Sequence, residues 1–295
     1  MRYMFPVINY SLLSLFAFFT LYPFLYVIVY SLNDGMDAMK GGLYFWPREF
    51  TIKNYVELFK DSTIINAYQI TIYRTVLGTL LHVVLNMLFG YALAKKTLPG
   101  KNFITFFIFI PTLFGGGLIP FFILLRDLHL LNTFWVYIVP SLYSFFHIII
   151  IRTFLQQLPP ELEESAKIDG CGDLRIFVSI ILPLSMPVLA VISIFIGVGH
   201  WNDWFTGRYF VTDKDLMPVQ TLLQDLLTQS DALMNAAKSI EKGAATSQYN
   251  MGSAKVTAES LKMAVLVVST VPILLIYPFF QKHFVKGALL GSVKG

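Results

Sequence analysis

Charge is scarce in this 295-residue chain: Asp, Glu, Lys and Arg make up 14% of it, hydrophobic residues 56%, and mean hydropathy is +0.64. That balance lies outside the range of a soluble globular domain, so the chain reads as an integral membrane protein. It has one cysteine, Cys171, which excludes an intrachain disulfide framework and leaves the compartment open. The net charge of +4 comes with no dense basic cluster. Nucleic acid is therefore not an expected partner, and membrane lipid of anionic type accounts for the excess. No G-x-x-x-x-G-K-[ST] phosphate loop occurs, and Gly170-x-Gly172 lacks the third glycine of a dinucleotide fingerprint. Any ATP must be hydrolysed on another chain. H-E-x-x-H, G-x-S-x-G and metal-spaced cysteine–histidine pairs are missing too, so no catalytic residue and no metal ligand is expected.

What is present is a series of long apolar runs. A bilayer core needs about 20 apolar residues per helix, and six runs qualify, at about 7–32, 66–94, 103–125, 133–155, 184–205 and 260–281. Several exceed the minimum, which implies tilt or extension. The first has only Arg2 ahead of it and no small-residue cleavage site after it, so it is expected to stay as a span. The expected fold is all-α, a polytopic domain of six transmembrane helices over 1–295. Six spans put both termini on one side. Arg2, Lys95, Lys96, Lys101, Arg152, Lys167, Arg175, Lys282, Lys286 and Lys294 cluster in the short segments of that side, which makes it cytoplasmic.

Two loops on the other side are long, about 33–65 and 206–259. In the second, Val219, Leu222, Leu223, Leu226, Leu227, Leu233 and Met234 recur at helical spacing within 217–242. A helix there could meet a partner or pack on its own chain. The stretch 242–253, rich in Gly, Ala and Ser, reads as a flexible loop.

The most informative segment is the cytoplasmic loop 156–183. Pro159-Pro160 stops the fourth span, and Glu161, Glu163 and Glu164 suit the first turn of a new helix, where carboxylates complement the dipole. Gly170 and Gly172 break that helix. Asp173 can then cap a second short helix through Phe177 that leads to Leu182-Pro183 and the fifth span. The expectation is a helix-turn-helix on the membrane face, a surface for a soluble partner.

This segment resembles the signature of the inner-membrane permeases of binding-protein-dependent ABC importers: E-A-A, three residues, G, nine residues, I-x-L-P. Glu164, Ala166, Gly170, Ile180, Leu182 and Pro183 match, and Ser165 stands where alanine is usual. The resemblance covers most of the chain. Gln281 to Gly287, continuing to Gly295, and Trp201-Asn202-Asp203-Trp204 look like the maltose-type carbohydrate permeases; Phe114 to Pro120 with Leu130 to Thr133 looks like the oligosaccharide and polysaccharide branch. It implies a permease subunit, not an enzyme, in a bacterial cytoplasmic membrane. Its implied partners are a second homologous permease, two ATPase subunits that use ATP and Mg, an extracytoplasmic solute-binding protein and a sugar; no cofactor is implied for this chain. The implied docking residues are Glu161, Glu163, Glu164, Ala166, Asp169 and Gly170, with Lys286 in the 282–295 tail. The sugar is not specified, and charged ones such as uronic-acid oligomers, alginate fragments among them, stay in range.

Within the spans, Pro111 to Pro120 enclose Gly115, Gly116 and Gly117, a stretch that cannot be regular helix throughout. Either a broken helix lies near the translocation path, or the glycines permit close helix packing. His82 and Asn86 are four apart, as are Tyr143 and His147, so each pair shares a helix face. Such faces point inward, toward substrate or toward another helix. Arg74, deep in the second span, must snorkel, pair or face water, whereas Lys262 lies near a helix end. Trp201, Asn202, Trp204 and Tyr209 suit an interfacial aromatic belt and sugar contact equally. The path candidates are thus Arg74, His82, Asn86, Gly115, Gly116, Gly117, Tyr143, His147, Trp201 and Asn202. Import of a non-sugar solute by the same machinery is one rival. Others are an ion-coupled secondary carrier and a glycan-active membrane enzyme, which would need a carboxylate or an acid–base pair at the span centres, where there is none.

Overall fold

The structure is a computed structural model, and it describes residues 4–60, 62–228, 256–257 and 259–275. The described residues are helical apart from turns and one isolated bridge, Asn33 to Phe50. They form two compact units, 1–65 with 222–272 and 66–221 with 273–295.

In the first unit, α1 (Met4–Ser31) is apolar along almost its whole length and absorbs Pro23 without breaking. After it, Asn33 folds the segment 33–52: its amide donates to Asp37 Oδ2 at 3.0 Å, and its Oδ1 accepts the Glu49 N–H at 2.8 Å. Asp34 caps the short α2 (Gly35–Ala38), and Arg48 closes on Asp37 at 3.0 Å. Asn54, in α3 (Lys53–Lys60), donates to the Ser31 and Asn33 carbonyls. The buried donors named here all find acceptors, as burial demands, while Asn54 Oδ1 has no partner among the described residues.

The chain then runs through α4 (Ser62–Ala94), the long helix of the second unit. Next come α5 (Lys101–Phe109), a 3₁₀ turn at Ile110–Thr112, an irregular stretch 113–117, and α6 (Leu118–Asp127). The break falls where Pro111 cannot donate a hydrogen bond and Gly117 adopts a φ of +82°, a region open to glycine.

Two 3₁₀ turns, Phe134–Tyr137 and Val139–Ser141, precede α7 (Phe145–Leu155) with a 49° bend between them. The interval 133–155, expected as one helix, is therefore split near Pro140. Then follow α8 (Glu161–Ile168), α9 (Asp173–Ile176), a π turn at Phe177–Ile181, α10 (Leu182–Leu184) and α11 (Met186–Asn202). The bend of 75° between the segments 173–184 and 186–202 sits at Ser185, between Pro183 and Pro187. The second helix of the 156–183 loop thus runs past Phe177 to Leu184. Its N-cap is Gly172, not Asp173, with no side-chain cap bond, so Asp173 serves as a first-turn carboxylate. The helices α12 (Phe205–Phe210), α13 (219–228) and α14 (259–275) complete the described chain.

Among the described residues, helix occurs within each of the six expected intervals, the last of them described only to residue 275. Two helices, α1 and α4, are long and apolar enough to cross a membrane unbroken, and four if each bent pair counts as one span. The helix expected over 217–242 is present as α13 up to residue 228. The rest of it, the 242–253 loop, and the tail with Lys286 lie outside the described residues.

The core of the second unit gathers Met87 of α4, Ile151 and Leu155 of α7, Ala166 of α8, Ile176 and Ile181, and Leu189 and Ile192 of α11. Gly90 admits this contact: a Cβ there would lie 2.5 Å from Ile151 Cγ2.

Candidate functional site

Two neighbourhoods of the second unit concentrate the candidate residues: the 156–183 loop and a buried polar cluster on α4.

The loop is built around α8. Pro160 sits at its N-cap and Glu161, Glu163 and Glu164 fill its first turn. Its C-terminus is a Schellman turn: Gly170 N–H donates to the Lys167 carbonyl at 3.0 Å and Cys171 N–H to the Ala166 carbonyl at 2.9 Å. Gly170 has φ +77°, which is what this turn requires at that position. Gly172, at φ −74°, is under no such demand.

The expected docking residues divide by direction. Ala166 is buried in the core, and Glu163 turns to Lys95 Nζ, which also lies over the Tyr91 ring at 4.3 Å. The Glu163 and Tyr91 partners hold the Lys95 ammonium above its ordinary pKa although burial, the largest single effect, opposes them. Glu161, Glu164, Asp169 and Gly170 are exposed, as is Ser165, whose hydroxyl turns back on the Leu162 carbonyl. Ile168 is 87% exposed beside them, an apolar side chain left uncovered by the described residues. The loop therefore presents carboxylates around bare apolar surface, on a helix anchored to α4 from behind.

On α4, Arg74 is the most deeply buried charge. Its side chain is 1% exposed, Nη2 is 2.5 Å from Asp203 Oδ2, and Nη1 donates to the Asp203 carbonyl at 3.0 Å. The guanidinium also lies 4.3 Å from the centre of the Tyr137 ring. Asp203 Oδ1 in turn accepts the Thr206 N–H. A cavity of about 340 Å³ opens beside the pair, lined among others by Phe121, Tyr137, Ser141 and His200. Of the three readings open to Arg74, pairing is the one observed.

About two turns further along α4 lies His82, and a turn beyond it Asn86, the two path candidates on this helix. The break between Ser141 and α7 frees backbone groups at Ser141, Leu142 and Ser144. His82 Nδ1 meets the Ser141 carbonyl at 2.6 Å, and the Asn86 amide donates to the Leu142 carbonyl at 2.8 Å. Asn86 Oδ1 accepts the Ser144 N–H at 3.0 Å. Since Nδ1 of His82 must donate to a carbonyl, its Nε2 accepts from His147 Nδ1, 2.8 Å away. These side chains take the place of the missing helical bonds, which is how irregular backbone is tolerated at membrane depth. The His82–Asn86 face thus makes hydrogen bonds to the broken segment before α7 and to His147 of α7.

Tyr143 departs from expectation. It lies in the break, before α7 begins, so it does not share a helix face with His147; its hydroxyl donates to the Ile108 carbonyl instead. Cβ atoms at Gly115 or Gly117 would meet nothing within 4 Å, so among the described residues these glycines serve no close helix packing. Trp201 is buried and lines an apolar cavity of about 410 Å³ with Thr79, Val83 and Gly197, whereas Asn202 is exposed.

Sequence reasoning missed Asp203, Tyr137, Ser141 and His200 as members of the cluster. For Asp203 a signal existed: it is the sole carboxylate inside the six apolar intervals, and Arg74 needs a counter-charge.

Residues 86–289 match the family described as the binding-protein-dependent transport system inner membrane component. The chain is 37% identical over 292 residues to the polygalacturonan/rhamnogalacturonan transport system permease protein YtcP of Bacillus subtilis (strain 168), covering 99% of each chain. It is 38% identical to the protein LplC of the same organism, over 99% of this chain and 95% of that one. A solved structure of a bacterial ABC transporter involved in the import of the acidic polysaccharide alginate contains a chain that superposes with a TM-score of 0.84 at 26% identity, over 95% of this chain and 96% of that one. The family match covers the 156–183 loop, α7 and α11, and with these full-length likenesses the chain belongs to the binding-protein-dependent transport system inner membrane components.

Proposed function

We propose that this permease imports oligosaccharides or polysaccharide fragments across the cytoplasmic membrane, and that its preferred substrates carry uronic acids. The observation that carries the reading is likeness along the whole chain to a permease for polygalacturonan and rhamnogalacturonan, beside a fold shared with an importer of alginate. Polygalacturonan and alginate are both polyuronates, so the shared chemistry is an anionic sugar chain. The permease is a transport subunit and not an enzyme.

In this reading six spans cross the membrane and place both termini and the 156–183 loop in the cytoplasm. A second permease completes the pathway, two ATPase subunits dock on the loop, and an extracytoplasmic binding protein delivers the sugar. Supporting the docking role are the exposed Glu161, Glu164 and Asp169 around bare Ile168, on a helix whose opposite side is fastened to the core through Ala166 and Lys95. Closure of the ATPases would move α8 as a lever, and the bends at residues 142–144 and 185 are where α7 and α11 can turn against α4.

The test is uptake by cells that have this permease as their route of entry. Labelled oligogalacturonate should enter and a neutral maltooligosaccharide of equal length should not; the reverse preference would overturn the substrate assignment. Purification in mild detergent should bring an ATPase and a second permease, with Glu164→Arg releasing the ATPase. A chain isolated alone, indifferent to that change, would refute the docking role.

A further inference from the structure

At the end of the spans nearest the 156–183 loop, α5 and α7 leave a groove between them. It holds about 350 Å³ and is lined by Asn102, Thr105, Phe106, Phe109, Phe145 and Arg152. The two ends differ in chemistry. Phe109 and Phe145 meet at 5.1 Å between ring centres at one end, while Arg152 in the last turn of α7 lines the other, where α5 begins with Lys101 next to the lining residue Asn102. Seven residues of α7 separate Phe145 from Arg152, so the groove runs about 10 Å along the helix.

The charges at its mouth lack neutralisation. Lys101 Nζ reaches the Lys95 carbonyl at 3.3 Å, but among the described residues neither Lys101 nor Arg152 has a carboxylate within 4.0 Å. Nearby acids are engaged elsewhere: Glu163 by Lys95 and Asp173 by Lys167. Burial, and after it the Arg152 guanidinium, push the Lys101 ammonium below its ordinary pKa. Thr105 spends its hydroxyl on the Lys101 carbonyl, which leaves the Asn102 amide as the neutral polar group at the mouth.

We propose that this groove binds one anionic phospholipid, with its phosphate at Lys101 and Arg152 and an acyl chain along Phe106, Phe109 and Phe145. The cation pair selects for negative charge, and helix ends are where headgroups lie. A free phosphate would satisfy the mouth alone. The aromatic floor, with Phe106 61% exposed in this chain, needs an apolar occupant continuous with the charge, and a phospholipid supplies both.

The full chain, purified in a non-ionic detergent, is titrated with phosphatidylglycerol or phosphatidylcholine of identical acyl chains, and bound lipid is counted by native mass spectrometry. Phosphatidylglycerol should be retained in preference. Arg152→Gln and Lys101→Gln should each weaken its retention about fivefold, the effect of one basic residue near an anionic surface, with phosphatidylcholine unchanged. Arg152→Lys should hold the lipid, and Arg175→Gln, outside the groove, should bind as the wild type does. Equal retention of the two lipids, Gln variants that bind like the wild type, or displacement by millimolar inorganic phosphate would each overturn the assignment. If Arg152→Gln does not yield folded protein, Lys101→Gln and the headgroup comparison decide.

Discussion

The Arg74–Asp203 pair makes an asymmetric prediction. Arg74 is 1% exposed and Asp203 27%, so the two cannot find water equally well when abandoned. Removing one partner of a buried ion pair typically costs about 3–5 kcal/mol, because the other charge is left uncompensated. In Asp203→Ala, Arg74 keeps the backbone carbonyl of residue 203 and the Tyr137 ring. The ring contact is worth about 1 kcal/mol, which places the loss at the lower end of that range, about 3 kcal/mol. In Arg74→Met, by contrast, Asp203 retains the Thr206 N–H and the adjoining cavity, and the expected loss is about half as large, with the methionine restoring packing. The double variant should match Arg74→Met, giving a coupling energy of about 2–3 kcal/mol within the range seen for contacting residues. Equilibrium unfolding of the full chain in mixed micelles, on all four corners of the cycle, measures these terms. Losses below about 0.5 kcal/mol, typical of exposed pairs, or a larger loss for Arg74→Met than for Asp203→Ala, would refute the account of which charge is trapped.

Gly170→Ala forces a side chain into the left-handed region at φ +77° and should cost about 1–2 kcal/mol, while Gly172→Ala at φ −74° should be close to neutral; thermal unfolding of the two variants separates them. Asn86→Ala strips partners from the Leu142 carbonyl and the Ser144 N–H and should destabilise by about 1–3 kcal/mol per orphaned group, read as faster hydrogen exchange at 142–148. Asp37 is held below its ordinary carboxyl value of 3.8 by the Asn33 hydrogen bond and then by Arg48 and Lys40. Its contribution is therefore present at neutral pH and lost as pH falls through that lowered value. Protease sensitivity of the segment 33–52 should rise there in the wild type and be high at every pH in Asp37→Ala.

The helical class, the intervals of the apolar runs and the 156–183 loop were legible in the sequence because each rests on local chemistry. Apolar length specifies a span, a Pro-Pro stop with three glutamates specifies a helix start, and Gly170 specifies the turn that ends it. The break between Pro111 and Pro120 was legible for the same reason. Tertiary structure alone decided where side chains went. His82 and Asn86 read from sequence as an inward polar face, toward substrate or toward another helix, and only the fold shows that the segment before α7 arrives with backbone bonds unmade and bonds to both. Tyr143 could not be placed from its spacing to His147, because the bend before residue 145 removes the helix that spacing presumes. Arg74 found Asp203 129 positions away, a partner that only the folding of α11 back onto α4 brings within reach. Local rules act over a few residues, whereas these contacts join segments whose separation in sequence carries no information about their distance in space.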